Sequence, residues 1–575
     1  MDKTAPLPDI PDLLYPAAEK REALNRRRIE LADKFPCTYI NDLMTDTVAS
    51  MICRRNPQNV QKLFREMCSD TDVINYRLDA LEDVMKNPRL SPAVHNAAEK
   101  LLETESKNSG GNGSPDSFTA LGDRIEMLDS YISCMESLKT LYEELGTGVR
   151  SRAFRSFFEI IKERCECEEF AQMKRDISEL KEAFSKKIRS VTVAINFNSE
   201  MRPISAGIVN YSDKPAGEKQ NVFDRLFYKT SAYSDTVVSG KLRSGQPNED
   251  GYLREADKAL FEALEKLTSS YMRKLESALR AYDRLSFSRL SMLTDQLEIY
   301  DGMARIAESC TARGIKMCRP EFTDKPRTAE IINLFDPCFY FKAAAADSEA
   351  KGDDLVVRNS LAMDESGRFF ILTGANNGGK TTFLRGAGLC FLMAQTGFYV
   401  PAESCKLCPC DFIFTHFPKE EETGINASRF TTEIKDLKTI SDLVTENSLL
   451  LMNESIQSTT PKECAEIAAE ITRIFCIIGV RGIYATHITE LAYMCDDIAS
   501  DPDCRSMPVS IVAGVDQQSG KRLYRIERGE PLKQSYAKDI FDSFGINAEN
   551  IRKRVRLQFT TRPKHANKRS TGSTL

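Results

Sequence analysis

Arg368-Phe369-Phe370-Ile371-Leu372-Thr373-Gly374-Ala375-Asn376-Asn377-Gly378-Gly379-Lys380-Thr381-Thr382-Phe383-Leu384-Arg385 is the run from which the rest of the chain can be read. Its first six residues form an apolar strand pattern, and a helical pattern follows from Thr382. Between them, Gly374 to Thr381 fits G-x-x-x-x-G-K-[ST] at every fixed position. Glycines let the backbone wrap phosphates with its N–H groups inward, and the helix N-terminus adds partial positive charge. The expected nucleotide set is Gly374, Ala375, Asn376, Asn377, Gly378, Gly379, Lys380, Thr381 and Thr382, with ATP and Mg²⁺ as cofactors. Lys380 is expected to reach the β- and γ-phosphates, and the Thr381 hydroxyl to ligate the metal.

Two further strands fit that loop. Ser448 to Met452 is apolar and ends in Asn453-Glu454. Such an end places a metal-side group and a carboxylate at one edge of a sheet, so Glu454 is the candidate to polarise an attacking water. Asn453 stands where an Asp usually supports the metal. Its amide keeps an oxygen acceptor but lacks the charge, which predicts looser Mg²⁺ and slow hydrolysis. A third strand, Gly482 to Thr486, ends in His487, a candidate for touching the γ-phosphate or orienting the water.

Outward from the loop, short β-rich runs alternate with helical ones from about residue 331, as in an α/β domain with a mostly parallel sheet. The N-terminal half reads differently. Met1 to Ile10 is polar and Pro-rich, and residues 1–36 look like a poorly ordered leader. Ile74, Leu78, Leu81 and Met85 fall at helical spacing, and Ser106 to Ser117 has linker composition. Ser190–Asn196 and Ile204–Tyr211 are strand candidates for a hairpin. Arg254 to Arg313 carries a long apolar stripe. As one helix it would reach roughly 90 Å; the alternative is two helices joined by a kink near Ser286.

The expected domains are a leader (1–36), a helical core and lever (37–325) with an insertion at about 190–252, a nucleotide domain (326–550) and a basic tail (551–575). That tail has Arg552, Lys553, Arg554, Arg556, Arg562, Lys564, Lys568 and Arg569 with no acidic residue. It reads either as a solubilising tail or as a phosphate-contacting arm.

At 575 residues the chain exceeds one core. A net charge of -5 means that contact with nucleic acid must come from local basic patches. No apolar run approaches the roughly 20 residues of a membrane span, and the N-terminus has no apolar signal core. With 17 scattered cysteines, reduced thiols and a cytoplasmic location are expected. Cys405, Cys408 and Cys410 cluster, but no second ligand group with zinc-like spacing follows.

From Thr373 onward the sequence resembles the ATPase domain of the MutS family of DNA mismatch repair proteins. The resemblance rests on the double glycine before Lys380, on Thr382-Phe383-Leu384-Arg385, on Gly397 to Ala402 and on Asp411 to Thr415. It continues through Ala427 to Ile434, which looks like the family's signature loop, through Met452 to Thr459, Ala485-Thr486-His487 and Lys533 to Ala537. Asn41-Asp42-Leu43, Ile74 to Asp79 and the hairpin with Arg202-Pro203 are looser matches to the family's core and lever region.

The resemblance implies a multidomain fold, a mostly α-helical core and lever followed by an α/β P-loop ATPase domain of ABC type. It implies a homodimer through the ATPase domains, with Ser428 lent to the partner's γ-phosphate, and a DNA clamp acting on double-stranded or branched DNA. Phe64-Arg65-Glu66 and Phe157-Phe158-Glu159 match the Phe-x-Glu triplet of the family's mismatch wedge, but both lie in amphipathic helical runs and read as core. Core-like sequence begins near residue 37, leaving no room here for the wedge-bearing domain, and the basic tail, not a nuclease-like extension, follows the ATPase. Arg429 and Asn453 replace the family's usual Thr and Asp. The leading expectation is an ATP-regulated DNA-binding dimer. The alternative is a nucleotide-switched scaffold that hydrolyses weakly and acts through protein partners.

Overall fold

A computed structural model describes residues 10–35, 37–109, 118–187, 190–197, 199, 203–212, 240–241, 279, 288–375, 378–417, 429–456, 460–515, 522–531 and 548–560. A helical N-terminal region precedes a mixed α/β region, and the contacts divide the chain into two units. The division is interleaved. One unit comprises Met1–Ala23, Ile52–Val60 and Asp72–Ile306, the other Leu24–Met51, Gln61–Thr71 and Ala307–Leu575.

The first unit is a helical layer. Helix Phe118–Leu145 packs against Leu90–Ser109, Arg152–Glu166 and Glu168–Lys187. Phe157 and Phe158 are buried, and Phe158 stacks on Tyr142 at 4.9 Å between centroids. Asp83 accepts from the backbone N–H groups of Arg150 and Ser151, at 3.0 and 2.7 Å, and fixes the entry to the Arg152 helix. Strands Ser190–Phe197 and Pro203–Ser212 pair antiparallel. Of the expected lever, the structure describes helix Ser288–Ala312 and Leu279; the rest of 254–287 lies outside the described residues.

Of the leader expected at 1–36, residues 10–35 are described, and they are held by the rest of their units. Leu13 is fully buried; its N–H donates to Gln296 Oε1 at 2.8 Å and its carbonyl accepts from Tyr300 Oη at 2.7 Å. Arg77 Nε donates to the Leu14 carbonyl at 2.9 Å. Residues Ala18–Lys34 form a helix. Backbone groups satisfied by distant side chains hold this segment, a contribution that its own polar composition conceals.

The second unit contains a six-stranded sheet. Its order is Arg522–Arg528, Pro508–Val515, Phe369–Thr373, Arg481–Ala485, Leu449–Asn453, Ile413–His416. The last five are parallel and the first is an antiparallel edge. The ends of Phe369–Thr373, Leu449–Asn453 and Arg481–Ala485 meet at one carboxyl edge, where open parallel sheets carry their ligands. A four-stranded sheet runs Glu321–Phe322, Ser404–Leu407, Ala329–Leu334, Asn359–Met363.

Helix Lys380–Thr396 packs against strands of both sheets, which is why it is apolar on every side and almost wholly buried. The N-terminal segments of this unit cover the far edge of the large sheet. Phe35 stacks on Phe412 at 4.5 Å, Thr38 Oγ1 donates to the Thr415 carbonyl at 2.9 Å, and Phe64 packs edge-on to Phe398 at 6.2 Å. An exposed sheet edge is thereby closed. The phenylalanines of both Phe-x-Glu triplets are buried in the core, while Arg65 and Glu159 are exposed.

Candidate functional site

The loop leaves strand Phe369–Thr373 through Gly374, at φ 139°, and enters the helix through Gly379, at φ 92°. Both values lie in the region that favours glycine, and a Cβ on Gly374 would come within 2.7 Å of Ala513 Cβ. Gly378 N–H donates to the Ala375 carbonyl at 3.0 Å. Asn376 and Asn377 lie outside the described residues. On the first helical turn Thr381 is exposed and Thr382 half-buried.

Lys380 opens the helix and its side chain turns back over the loop. Its Nζ donates to the Gly374 carbonyl at 2.9 Å and to the Ala375 carbonyl at 3.3 Å, and lies 3.4 Å from His487 Nε2. Burial lowers its pKa from the usual lysine range to about 8, against the opposing pull of the Glu454 carboxylate.

Thr381 Oγ1 donates to Asn453 Oδ1 at 3.2 Å, across 72 positions of chain. Asn453 is the buried last residue of its strand. Glu454 follows at φ 51°, a left-handed value unusual for a side chain of that size. Its N–H donates to the Ala485 carbonyl at 2.7 Å on the neighbouring strand. Its carboxylate meets His487 Nε2 at 2.7 Å, both side chains being about one-third exposed. The structure therefore brings Lys380, Thr381, Asn453, Glu454 and His487 into one group. Ser428 lies outside the described residues.

The chain's order explains this convergence. Each of three parallel strands ends in its polar residue at the same sheet edge, and the loop and helix lie across their ends. The group can cradle a polyanion, place an acceptor beside a hydroxyl, and offer a carboxylate–imidazole pair to a water.

Residues 370–553 match the family profile described as MutS domain V, and residues 69–313 match the one described as MutS2 N-terminal domain. The chain belongs to the MutS family. All five converging residues fall inside the MutS domain V match. The "Endonuclease MutS2" of Thermus thermophilus is 31% identical over 185 residues, 32% of this chain and 23% of that protein. The "DNA mismatch repair protein MutS" of Petrotoga mobilis is 31% identical over 207 residues, 36% of this chain and 24% of that protein. The human "MutS protein homolog 4" is 29% identical over 205 residues, 36% of this chain and 20% of that protein. The matched parts thus span less than a quarter of these relatives' length.

Three residues that support the MutS-like loop and its helix were not singled out by sequence reasoning. Tyr524, at φ 56°, would stand 3.4 Å from a Cβ on Gly379, and its carbonyl accepts from Asn359 Nδ2 at 3.0 Å. Asp336 caps helix Pro337–Ala346 and pairs with Arg385, a residue that the resemblance flagged without a role. No local pattern marks either Tyr524 or Asn359, since each acts through a partner on a distant strand. Burial pushes the Cys410 thiol up to about 12, and no cluster able to hold a metal occurs among the described His, Cys, Asp and Glu residues. Among the described residues no helix is long and apolar enough to cross a membrane.

Proposed function

We propose that this chain is a MutS-like, ATP-dependent DNA-binding protein. ATP binding and slow hydrolysis, at a P-loop site of ABC type completed by a second copy, control a clamp on double-stranded or branched DNA. The observation that carries this reading is the convergence of Lys380, Thr381, Asn453, Glu454 and His487 at one sheet edge.

The residues fit the expected ligand. The glycine loop and the helix N-terminus face phosphates with donors, and Lys380 adds the charge. Thr381 and Asn453 already point oxygens at each other and would hold the metal between hydroxyl and amide. Magnesium, when bound with ATP, neutralises charge on the β- and γ-phosphates. Glu454 accepts a proton from the attacking water while His487, held by that carboxylate, fixes its direction. Ser428 would act on the partner's γ-phosphate. The names of the relatives, mismatch repair MutS and endonuclease MutS2, support a role on DNA.

One observation favours a second reading. Asn453 gives Thr381 a neutral acceptor where a carboxylate would hold the metal by charge, which suits a nucleotide-switched scaffold with weak hydrolysis acting through protein partners. Band-shift assays on duplex, mismatched and four-way DNA, with and without ATP, separate the two. ATP-dependent preference for a DNA structure supports the first. DNA binding that ignores ATP and structure, alongside intact ATP binding, supports the scaffold. Gel filtration with ATP, comparing wild type with Ser428→Ala, tests the composite site; a monomer in every state refutes it.

A further inference from the structure

Beside the site lies a buried polar network that the reading above does not use. His416, the last residue of strand Ile413–His416, is buried, as are Ser455 and Tyr484. His416 Nδ1 lies 2.6 Å from Ser455 Oγ, and Ser455 Oγ lies 3.3 Å from the His416 carbonyl. Tyr484 Oη donates to the Ser455 carbonyl at 2.5 Å. Burial pushes the Tyr484 phenol up, so its O–H remains a donor.

Ser455 follows Glu454 directly. The three residues 454–456 make an unusual turn, with Glu454 at φ 51° and Ile456 at φ 60° and no glycine to relieve it. Backbone of that kind persists only where its surroundings over-determine it. Here the fixings come from two flanking strands. On one side, Glu454 N–H is held by Ala485 and the Ser455 carbonyl by Tyr484. On the other, His416 holds the Ser455 hydroxyl. Were the hydroxyl released, one side of the turn would lose its anchor, and the carboxylate of Glu454 would swing from its 2.7 Å contact with His487.

We propose that His416 and Ser455 are positioning residues: together they clamp the strained turn that aims Glu454 at His487 and at the water it activates. This rests on the reading of Glu454 as the general base, and it assigns roles to two residues outside that base and its partner. The clamp acts on the chemical step, because Lys380 and Thr381, which face the phosphates, are not held by it. Displacement of a base by about 1 Å costs up to roughly a hundredfold.

The test is a double-mutant cycle on the full chain, with ATP affinity measured by fluorescent-nucleotide titration and hydrolysis by single turnover. Ser455→Ala and His416→Leu are expected to lower the hydrolysis rate about tenfold or more while ATP affinity stays within about twofold. His416→Asn, which keeps a polar atom near the Nδ1 position, should recover most of that loss, and Ser455→Thr, which keeps the hydroxyl, likewise. In a Glu454→Gln background the same changes should add nothing further, since the group they aim is already gone. Unchanged rates in Ser455→Ala and His416→Leu, or equal losses in both backgrounds, would overturn the proposal while leaving Glu454 as the base. Glu454→Gln hydrolysing at the wild-type rate would remove both.

Discussion

The Glu454 carboxylate lies 2.7 Å from Nε2 of His487, and the same imidazole lies 3.4 Å from the Lys380 amine. A carboxylate, an imidazole and an ammonium therefore touch in series at the end of one parallel sheet. The arrangement separates binding from chemistry. Glu454→Gln removes the proton acceptor but keeps the size and a hydrogen-bonding group. It should slow ATP hydrolysis roughly a hundredfold or more while leaving ATP binding near the wild-type value. Steady-state hydrolysis set against equilibrium ATP titration checks this; a parallel loss of both would mean that Glu454 holds the loop and not the water.

Lys380 gives a pH dependence with two opposite signs. Its folded-state pKa is about 8, against 10.5 for an ordinary lysine. Between those values the unfolded chain binds a proton that the folded one does not, so this group's stability contribution rises with pH through that window. Phosphate binding needs the charged amine, so ATP affinity should be highest below pH 8 and fall above it, by up to about tenfold per pH unit. Titrations of wild type and Lys380→Met on either side of that value test it. Lys380→Met should bind weakly at every pH, and an equally steep pH dependence in that variant would assign the titration to another group.

How far the sequence discloses this site depends on how local each constraint is. The loop is legible because its glycines, lysine and threonine occupy fixed spacings on one short run. Glu454 and His487 are legible because each ends an apolar strand, even though 33 positions separate them. The clamp of His416 on Ser455 is not legible: a histidine and a serine 39 positions apart carry no shared pattern. Helix Ala18–Lys34 escapes for a related reason. It buries only Leu24 on a run of charged residues, so no apolar stripe announces it. The Asp12–Leu14 segment is held by Gln296 and Tyr300, more than 280 positions away.

Arg481 makes a separate prediction about stability. It opens its strand fully buried, with its guanidinium donating to the carbonyls of Cys408 at 2.7 Å, Asn447 at 3.1 Å and Pro409 at 3.3 Å. Its carbon lies 5.3 Å from the centre of the Phe391 ring. The guanidinium spreads five N–H donors over a wide rigid fork, whereas an ammonium has three on a single atom and cannot reach the same separated carbonyls. Arg481→Lys should therefore destabilise the second unit nearly as much as Arg481→Met, by about 3 kcal/mol or more as carbonyls lose their donors. Urea unfolding of each variant measures it; a loss below about 1 kcal/mol would show that water replaces the guanidinium without cost.

Asn453→Asp tests the departure most particular to this chain. Asn453 Oδ1 already accepts from the Thr381 hydroxyl at 3.2 Å, so an aspartate can take the same place with the same geometry. What changes is charge in a buried position. Without metal, the added carboxylate is a buried charge and should lower the melting temperature. With Mg²⁺ and ATP, the same charge becomes a ligand-side attraction, so stabilisation by Mg²⁺-ATP should be larger in the variant than in wild type. The Mg²⁺ concentration for half-maximal hydrolysis should fall several-fold and the turnover should rise. A variant whose turnover, Mg²⁺ demand and ligand-induced stabilisation all match wild type would show that the neutral amide is no handicap at this site, and the reading of slow hydrolysis would lose its physical cause.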